Sequence, residues 1–154
     1  PLGVLSTHIY SDGSLSDLIC VPGGIGKTGV NKKDIDDKKY FIKMSGNATF
    51  KVAVKRMTDV IREALVFNDL SMEDVAILVP HQANQRIIRA VAERLEYPME
   101  KVFMNIHKYG NTSGASIPIG IDEAKRSGRI KPGETSVLGA VGAGLTWGSA
   151  VIKW

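Results

Sequence analysis

His81 and Asn111 each stand where an apolar run gives way to a helical pattern, and a third apolar run ends at the glycine turn of residues 142–144, before a further strand. Polar groups in strand-to-helix loops are what α/β proteins place at the carboxyl edge of a sheet, where ligands bind. His81 lies in such a loop, at the positive end of a helix. Against this stands a plainer reading, in which a lone histidine beside a helix start only caps or packs. The other reactive side chains offer less. Cys20 lies between Ile19 and Val21 with no helix start beside it to lower a thiol pKa, and it reads as a small core residue. Residues 21–28 end like a phosphate loop, but Val21 stands where that motif needs glycine. Residues 29–34 then read as a mobile polar loop without the helix that would hold a phosphate. The three histidines show no ligand spacing with the one cysteine, which argues against a metal.

The elements that must carry these groups follow from periodicity. Residues 75–79 are short and wholly apolar, and Pro80 has no N–H to continue a ladder, so a buried strand ends there. Ile87, Ile88, Val91 and Leu95 then mark one face of a helix, with Arg86, Arg89 and Glu93 opposite and Asn84 as its N-cap. Upstream, Ser45-Gly46-Asn47 opens a long helix to about Asn68, with Val54, Met57, Ile61, Ala64 and Leu65 inward. Ser71 to Asp74 resembles a capping box. Strands are expected at residues 3–10, 18–21, 40–44, 102–106, 135–141 and 147–154. A further helix carries Ile117, Ile121 and Ala124 and ends near Ser127-Gly128. Alternating strands and helices favour parallel pairing with right-handed crossovers, so the fold class is α/β with a mixed, mostly parallel sheet and helices packed on it. His81, Asn111 and the 142–144 turn would then share one rim.

Composition bounds the rest. With 154 residues, 44% hydrophobic and 23% charged, the chain suits one globular domain that buries about 70% of its unfolded surface. No apolar run approaches the roughly 20 residues of a membrane span, and no signal-peptide pattern is present, so the expected location is cytoplasmic. A net charge of +4 without a basic stripe argues against nucleic acid and suits an acidic partner. The abrupt start in a β-prone run suggests a piece of something longer.

Three ordered motifs carry a family resemblance: Val-Pro-His-Gln-Ala-Asn-Gln-Arg at 79–86, Gly-Asn-Thr-Ser-Gly-Ala-Ser at 110–116, and Gly-Ala-Gly-Leu-Thr-Trp-Gly-Ser-Ala at 142–150. With the segments at 3–8 and 44–51, they make the chain similar to the C-terminal half of β-ketoacyl-acyl-carrier-protein synthase III, a thiolase-fold condensing enzyme. The likeness covers residues 1–154 and is weakest between Pro22 and Tyr40. It implies an acyltransferase of fatty acid synthesis in which a cysteine takes an acyl group from acyl-CoA. Malonyl-acyl-carrier protein then loses carbon dioxide and condenses with the acyl-enzyme. By position, His81 and Asn111 are the pair that stabilises the enolate, and the backbone N–H of Ala143 serves the acyl oxyanion. Val141 lines the acyl pocket, and Gly46, Phe50 and Asn84 line the pantetheine tunnel. Gln82, Ala83, Asn84, Gln85 and Arg86, with Lys51 and Arg94, form the carrier-protein face. No cofactor is implied, since the substrates are thioesters of CoA and acyl-carrier protein. The resemblance also implies a missing N-terminal half that bears the nucleophile, and a homodimer of the complete enzyme.

Two positions depart from the pattern. Cys20 matches no nucleophile motif, so this chain alone is expected to be inactive. Tyr109 stands where some members have histidine, and its expected role is to pack the loop. The competing readings are a CoA or carrier-protein binding module and another thiolase-fold synthase, of plant polyketide or hydroxymethylglutaryl type. A serine hydrolase using His81 lacks the Gly-x-Ser-x-Gly elbow.

Overall fold

The computed structural model describes residues 2–23 and 29–154. Pro1 and most of the phosphate-loop lookalike at 21–28 lie outside them. Four strands, β1 (Gly3–Ser11), β4 (Ile77–Pro80), β5 (Thr135–Gly142) and β6 (Thr146–Lys153), form one sheet in the order β1-β6-β5-β4. Two short strands, β2 (Ile19–Cys20) and β3 (Lys43–Met44), pair separately. The sheet is mixed: β4 runs parallel to β5, and β6 runs antiparallel to both β5 and β1. A single parallel bridge from Val102 to Leu78 extends the sheet beyond β4.

Strand alternation divides the core. Leu78 packs with Met57, Ile61, Ile88, Val91, Val137 and Val151 on one face of the sheet. Ile77 and Val79 point the other way, toward Phe103, Ala124 and Ile130. The first face is covered by α2 (Gly46–Phe67) and α3 (Gln85–Arg94), the second by α5 (Ser116–Arg126). All four residues of β4 are buried, which is why this strand reads as an unbroken apolar run. The five inward positions expected on the long helix are all buried. Gly139 marks the closest approach of that helix to the sheet, because a Cβ there would stand 2.7 Å from Ile61 Cδ1.

Several expected elements differ. The strand at 102–106 is reduced to the Val102 bridge, and residues 106–109 instead form the helical turn α4 (Ile106–Tyr109). The backbone N–H groups of Asn105 and Ile106 donate to the side chain of Gln82, which removes them from any ladder. Residues 29–34 do not form a simple loop, since α1 (Lys32–Asp36) is capped by Asn31, whose side chain accepts from Asp34 N–H at 2.9 Å. The strands expected at 18–21 and 40–44 shrink to two residues each, and Phe41, Ile42 and Met44 are exposed. Among the described residues, parallel pairing is confined to β4, β5 and Val102. The capping box at Ser71 is present, with Asp74 accepting from Ser71 N–H.

Large apolar side chains also remain in solvent on β1 and at the end of α2. Ile9 is 79% exposed and Phe67 69%, with Val4 and Val66 beside them. Among the described residues, no helix is long and apolar enough to cross a membrane.

Candidate functional site

Pro80 ends β4, and the next residue takes one further step along the parallel ladder, His81 N–H donating to the Gly139 carbonyl at 2.8 Å. The imidazole is therefore held at the carboxyl edge of the sheet. Its Nδ1 lies 2.6 Å from Ser116 Oγ, at the first turn of α5. Burial lowers the pKa of His81 below its ordinary value, so the ring is neutral at neutral pH. Asn84 caps α3 as expected, its Oδ1 accepting from Arg86 N–H at 2.8 Å.

Gln82 is the brace of this loop. Its side chain is 1% exposed. Its amide nitrogen donates to the carbonyls of Pro80 (2.8 Å) and Phe103 (3.2 Å). Its oxygen accepts from the N–H groups of Asn105 (3.0 Å) and Ile106 (3.1 Å). Such a group cannot meet a carrier protein, which corrects the expectation from sequence: Gln82 joins the His81 loop to the segment leading to Asn111.

That segment is fixed at its other end by Glu123 on α5. The Glu123 carboxylate accepts from Lys108 Nζ (2.5 Å), Tyr109 OH (2.6 Å) and Asn105 Nδ2 (2.8 Å). These hydrogen bonds, Lys108 first, hold its pKa down at about 2. Tyr109 thus secures the loop by hydrogen bonding, and its exposed ring also packs within the loop, with Lys108 Nζ 4.8 Å from the ring centre. After Gly110, Asn111 Oδ1 accepts from Ser113 N–H at 2.9 Å in a tight local turn. A backbone N–H can only donate, so the bonded atom is the amide oxygen. Among the described residues, no group takes the Asn111 Nδ2 hydrogens.

The glycine turn lies in the β5–β6 hairpin. Ala143 is exposed there, and Val141 is half-buried against the core. The turn is fastened from outside by a reciprocal backbone pair, Asp12 N–H to Leu145 O (2.8 Å) and Leu145 N–H to Asp12 O (3.1 Å).

Lys51 and Arg94 line one cleft of about 430 Å³ between α2 and α3, together with Phe50, Val54, Ala90 and Glu93. Arg86 sits with its guanidinium carbon 5.5 Å from the centre of the Phe50 ring. Gln85 and Arg86 are exposed, Ala83 is half-buried, and Gly46 is exposed at the start of α2. His81, Asn111 and Ala143 do not line this cleft. Cys20 is half-buried in β2, less enclosed than a core residue. Among the described residues, no group of three or more His, Cys, Asp or Glu side chains could hold a metal ion.

Ser116 and Glu123 are the polar residues whose roles sequence alone did not assign. Ser116 closes the second motif, and a serine opening a helix beside a loop histidine is a usable signal. Glu123 looks like any solvated helix carboxylate.

The family described as 3-oxoacyl-[acyl-carrier-protein] synthase III, C terminal, matches residues 65–154. The chain belongs to this family. Among relatives of this synthase III family, β-ketoacyl-[acyl-carrier-protein] synthase III of Clostridioides difficile is 47% identical over 99% of the chain and 46% of its own length. The same enzyme of Alkalilimnicola ehrlichii is 50% identical over the same shares. The crystal structure of 3-oxoacyl-[acyl-carrier-protein] synthase III from Aquifex aeolicus superposes with a TM-score of 0.84 at 42% identity. It is matched over 99% of this chain and 44% of the Aquifex chain. The chain therefore spans about half the length of the synthase III relatives it matches, and its fold is thiolase-like.

Proposed function

We propose that this chain is the C-terminal half of a synthase III that joins an acyl primer from acyl-CoA to malonyl-acyl-carrier protein, and that it supplies the groups that stabilise the enolate. The observation that carries this reading is how the two polar side chains are engaged. His81 uses Nδ1 on Ser116 and Asn111 uses Oδ1 on Ser113, which leaves His81 Nε2 and Asn111 Nδ2 for substrate. When malonyl thioester loses carbon dioxide, the C–C bonding pair moves into the thioester, and charge builds on its oxygen. Two uncharged donors aimed at that oxygen lower the barrier. The enolate carbon then attacks the acyl thioester on a cysteine of the other half. The Ala143 N–H stabilises the resulting oxyanion until the thiolate leaves. Val141 bounds the acyl pocket, and Gly46, Phe50 and Asn84 line the pantetheine entry.

The carrier face consists of Lys51, Arg86 and Arg94, with Ala83, Asn84 and Gln85 at its rim. The acidic partner is acyl-carrier protein. Convergence of Phe50, Lys51 and Arg94 on one cleft, with Arg86 above Phe50, supports this. The exposed apolar side chains of β1 and α2 fit burial by the other half or by a second copy in a homodimer. Without the half that bears the nucleophile the chain binds but does not condense, and the complete enzyme is cytoplasmic.

The test is His81→Ala and Asn111→Ala in the complete enzyme. Each is expected to lower malonyl decarboxylation by about 100-fold to 1000-fold, while acyl transfer to the nucleophile remains measurable. Wild-type decarboxylation in either variant would refute the assignment.

A further inference from the structure

Ser116 opens α5 and its side chain is enclosed, at 2% exposure. Its Oγ has two hydrogen-bonded neighbours, His81 Nδ1 at 2.6 Å and Gln82 N–H at 3.2 Å. The second fixes a direction, because a backbone N–H can only donate and Oγ must accept from it. The hydroxyl then has one proton to place. Among the described residues, the only acceptor it reaches is His81 Nδ1. If Nδ1 carried the ring proton, Oγ would accept twice and its own proton would be enclosed without a partner, which is costly for a buried group.

We infer that Ser116 is a positioning residue, whose hydroxyl donates to His81 Nδ1 and thereby holds the imidazole in the Nε2–H form. This rests on the reading of His81 as an enolate donor, and it adds what makes that donor ready. Burial keeps the ring neutral, but neutrality alone leaves two tautomers, and only one presents a proton from Nε2. The device also couples the two donors. Asn111 and Ser116 belong to one short segment, so the loop that supplies the second donor also sets the proton position of the first. The helix behind it is seated closely, since a Cβ on Gly120 would stand 3.0 Å from Val79 Cγ1 in β4. Ser116 and His81 are therefore carried by packed elements.

The experiment uses the complete enzyme with its histidine rings labelled with nitrogen-15, in wild type, Ser116→Ala, Ser116→Thr and Ser116→Cys. Ring nitrogen shifts report the His81 tautomer, and decarboxylation and acyl transfer are assayed separately. The expected result is a wild-type Nε2–H signature that becomes mixed in Ser116→Ala. Decarboxylation should fall about tenfold to a hundredfold, the scale of losing a group that orients a functional imidazole, and acyl transfer should fall much less. Ser116→Thr, or Ser116→Cys if the extra methyl is not accommodated, should recover part of both signals. An Nδ1–H signature in wild type overturns the inference even if the alanine variant does not fold. So does a Ser116→Ala enzyme with wild-type tautomer and rate. If His81→Ala itself leaves decarboxylation intact, the functional reading fails. If His81→Ala is inactive while Ser116→Ala is not, the role of Ser116 alone fails.

Discussion

Removing the Gln82 side chain should damage the site more than any exposed residue of its motif would. Four hydrogen bonds to backbone groups are lost together: two from its amide nitrogen to Pro80 and Phe103, two to its oxygen from Asn105 and Ile106. At about 1 kcal/mol net for each, the sum is about 4 kcal/mol. In Gln82→Ala, water entering the emptied polar space can recover part of this, giving about 3 kcal/mol. Gln82→Leu fills the space with apolar atoms and denies water to the same four groups, so it should be the worse of the two. Gln82→Glu gives a pH signature. Its second oxygen would face the carbonyls of Pro80 and Phe103, which favours the protonated acid and raises its folded pKa above the unfolded value of about 4.3. The folded state then binds the proton more tightly. The variant is therefore least impaired below about pH 4 and loses stability as pH rises through the folded pKa. Urea midpoints of the complete enzyme and amide exchange at Asn105 and Ile106 provide the assay. A Gln82→Leu enzyme within about 0.5 kcal/mol of wild type, with slow exchange at both amides, would refute the brace.

Three further outcomes are expected. Arg86→Glu in the complete enzyme should raise the KM for malonyl-acyl-carrier protein at low ionic strength and retain most of its turnover, the difference shrinking as salt shortens the screening length toward about 8 Å. An unchanged KM at low salt would place carrier docking elsewhere. Glu123 has its folded pKa depressed to about 2, so the anchoring of residues 105–109 is fully present above its unfolded pKa of about 4.3 and is lost as pH falls toward 2. Protection of the amides in that segment, relative to their intrinsic exchange rates, should fall over this window, and Glu123→Gln should remove the dependence. The isolated chain should self-associate through its exposed apolar residues; a monodisperse monomer at high concentration in sedimentation would contradict this.

Much of the framework was legible because burial leaves a period. β4 is apolar at every position because helices cover both its faces, and α2 and α3 show the 3.6-residue stripe of helices with one wet side. Asn84 and the Ser71 box were readable because caps are local. The losses occurred where distant groups intervene. Residues 102–106 look like a strand, yet the side chain of Gln82 withdraws two of their N–H groups, and nothing within that segment signals it. Gln82 itself sits in a motif whose exposed neighbours invite a surface reading, and only its environment shows that it is internal. Ser116 and Glu123 illustrate the same point, because their partners are 35 residues and 14 to 18 residues away in the chain.

The pairing of β1 has a consequence for the order of synthesis. Among the described residues its only sheet partner is β6, in a register that sets Gly3 opposite Lys153. On the ribosome, β1 must therefore wait until β6 has emerged before these backbone hydrogen bonds can form. During that delay Val4 and Ile9 are apolar side chains on an unpaired edge, a substrate for chaperones or for illicit strand pairing. The turn that holds Ala143 inherits the same schedule, because its fastening joins Leu145 to Asp12, just beyond β1. The 142–144 turn is thus completed late, by sheet closure, well after α2 and β4 have emerged to form local structure.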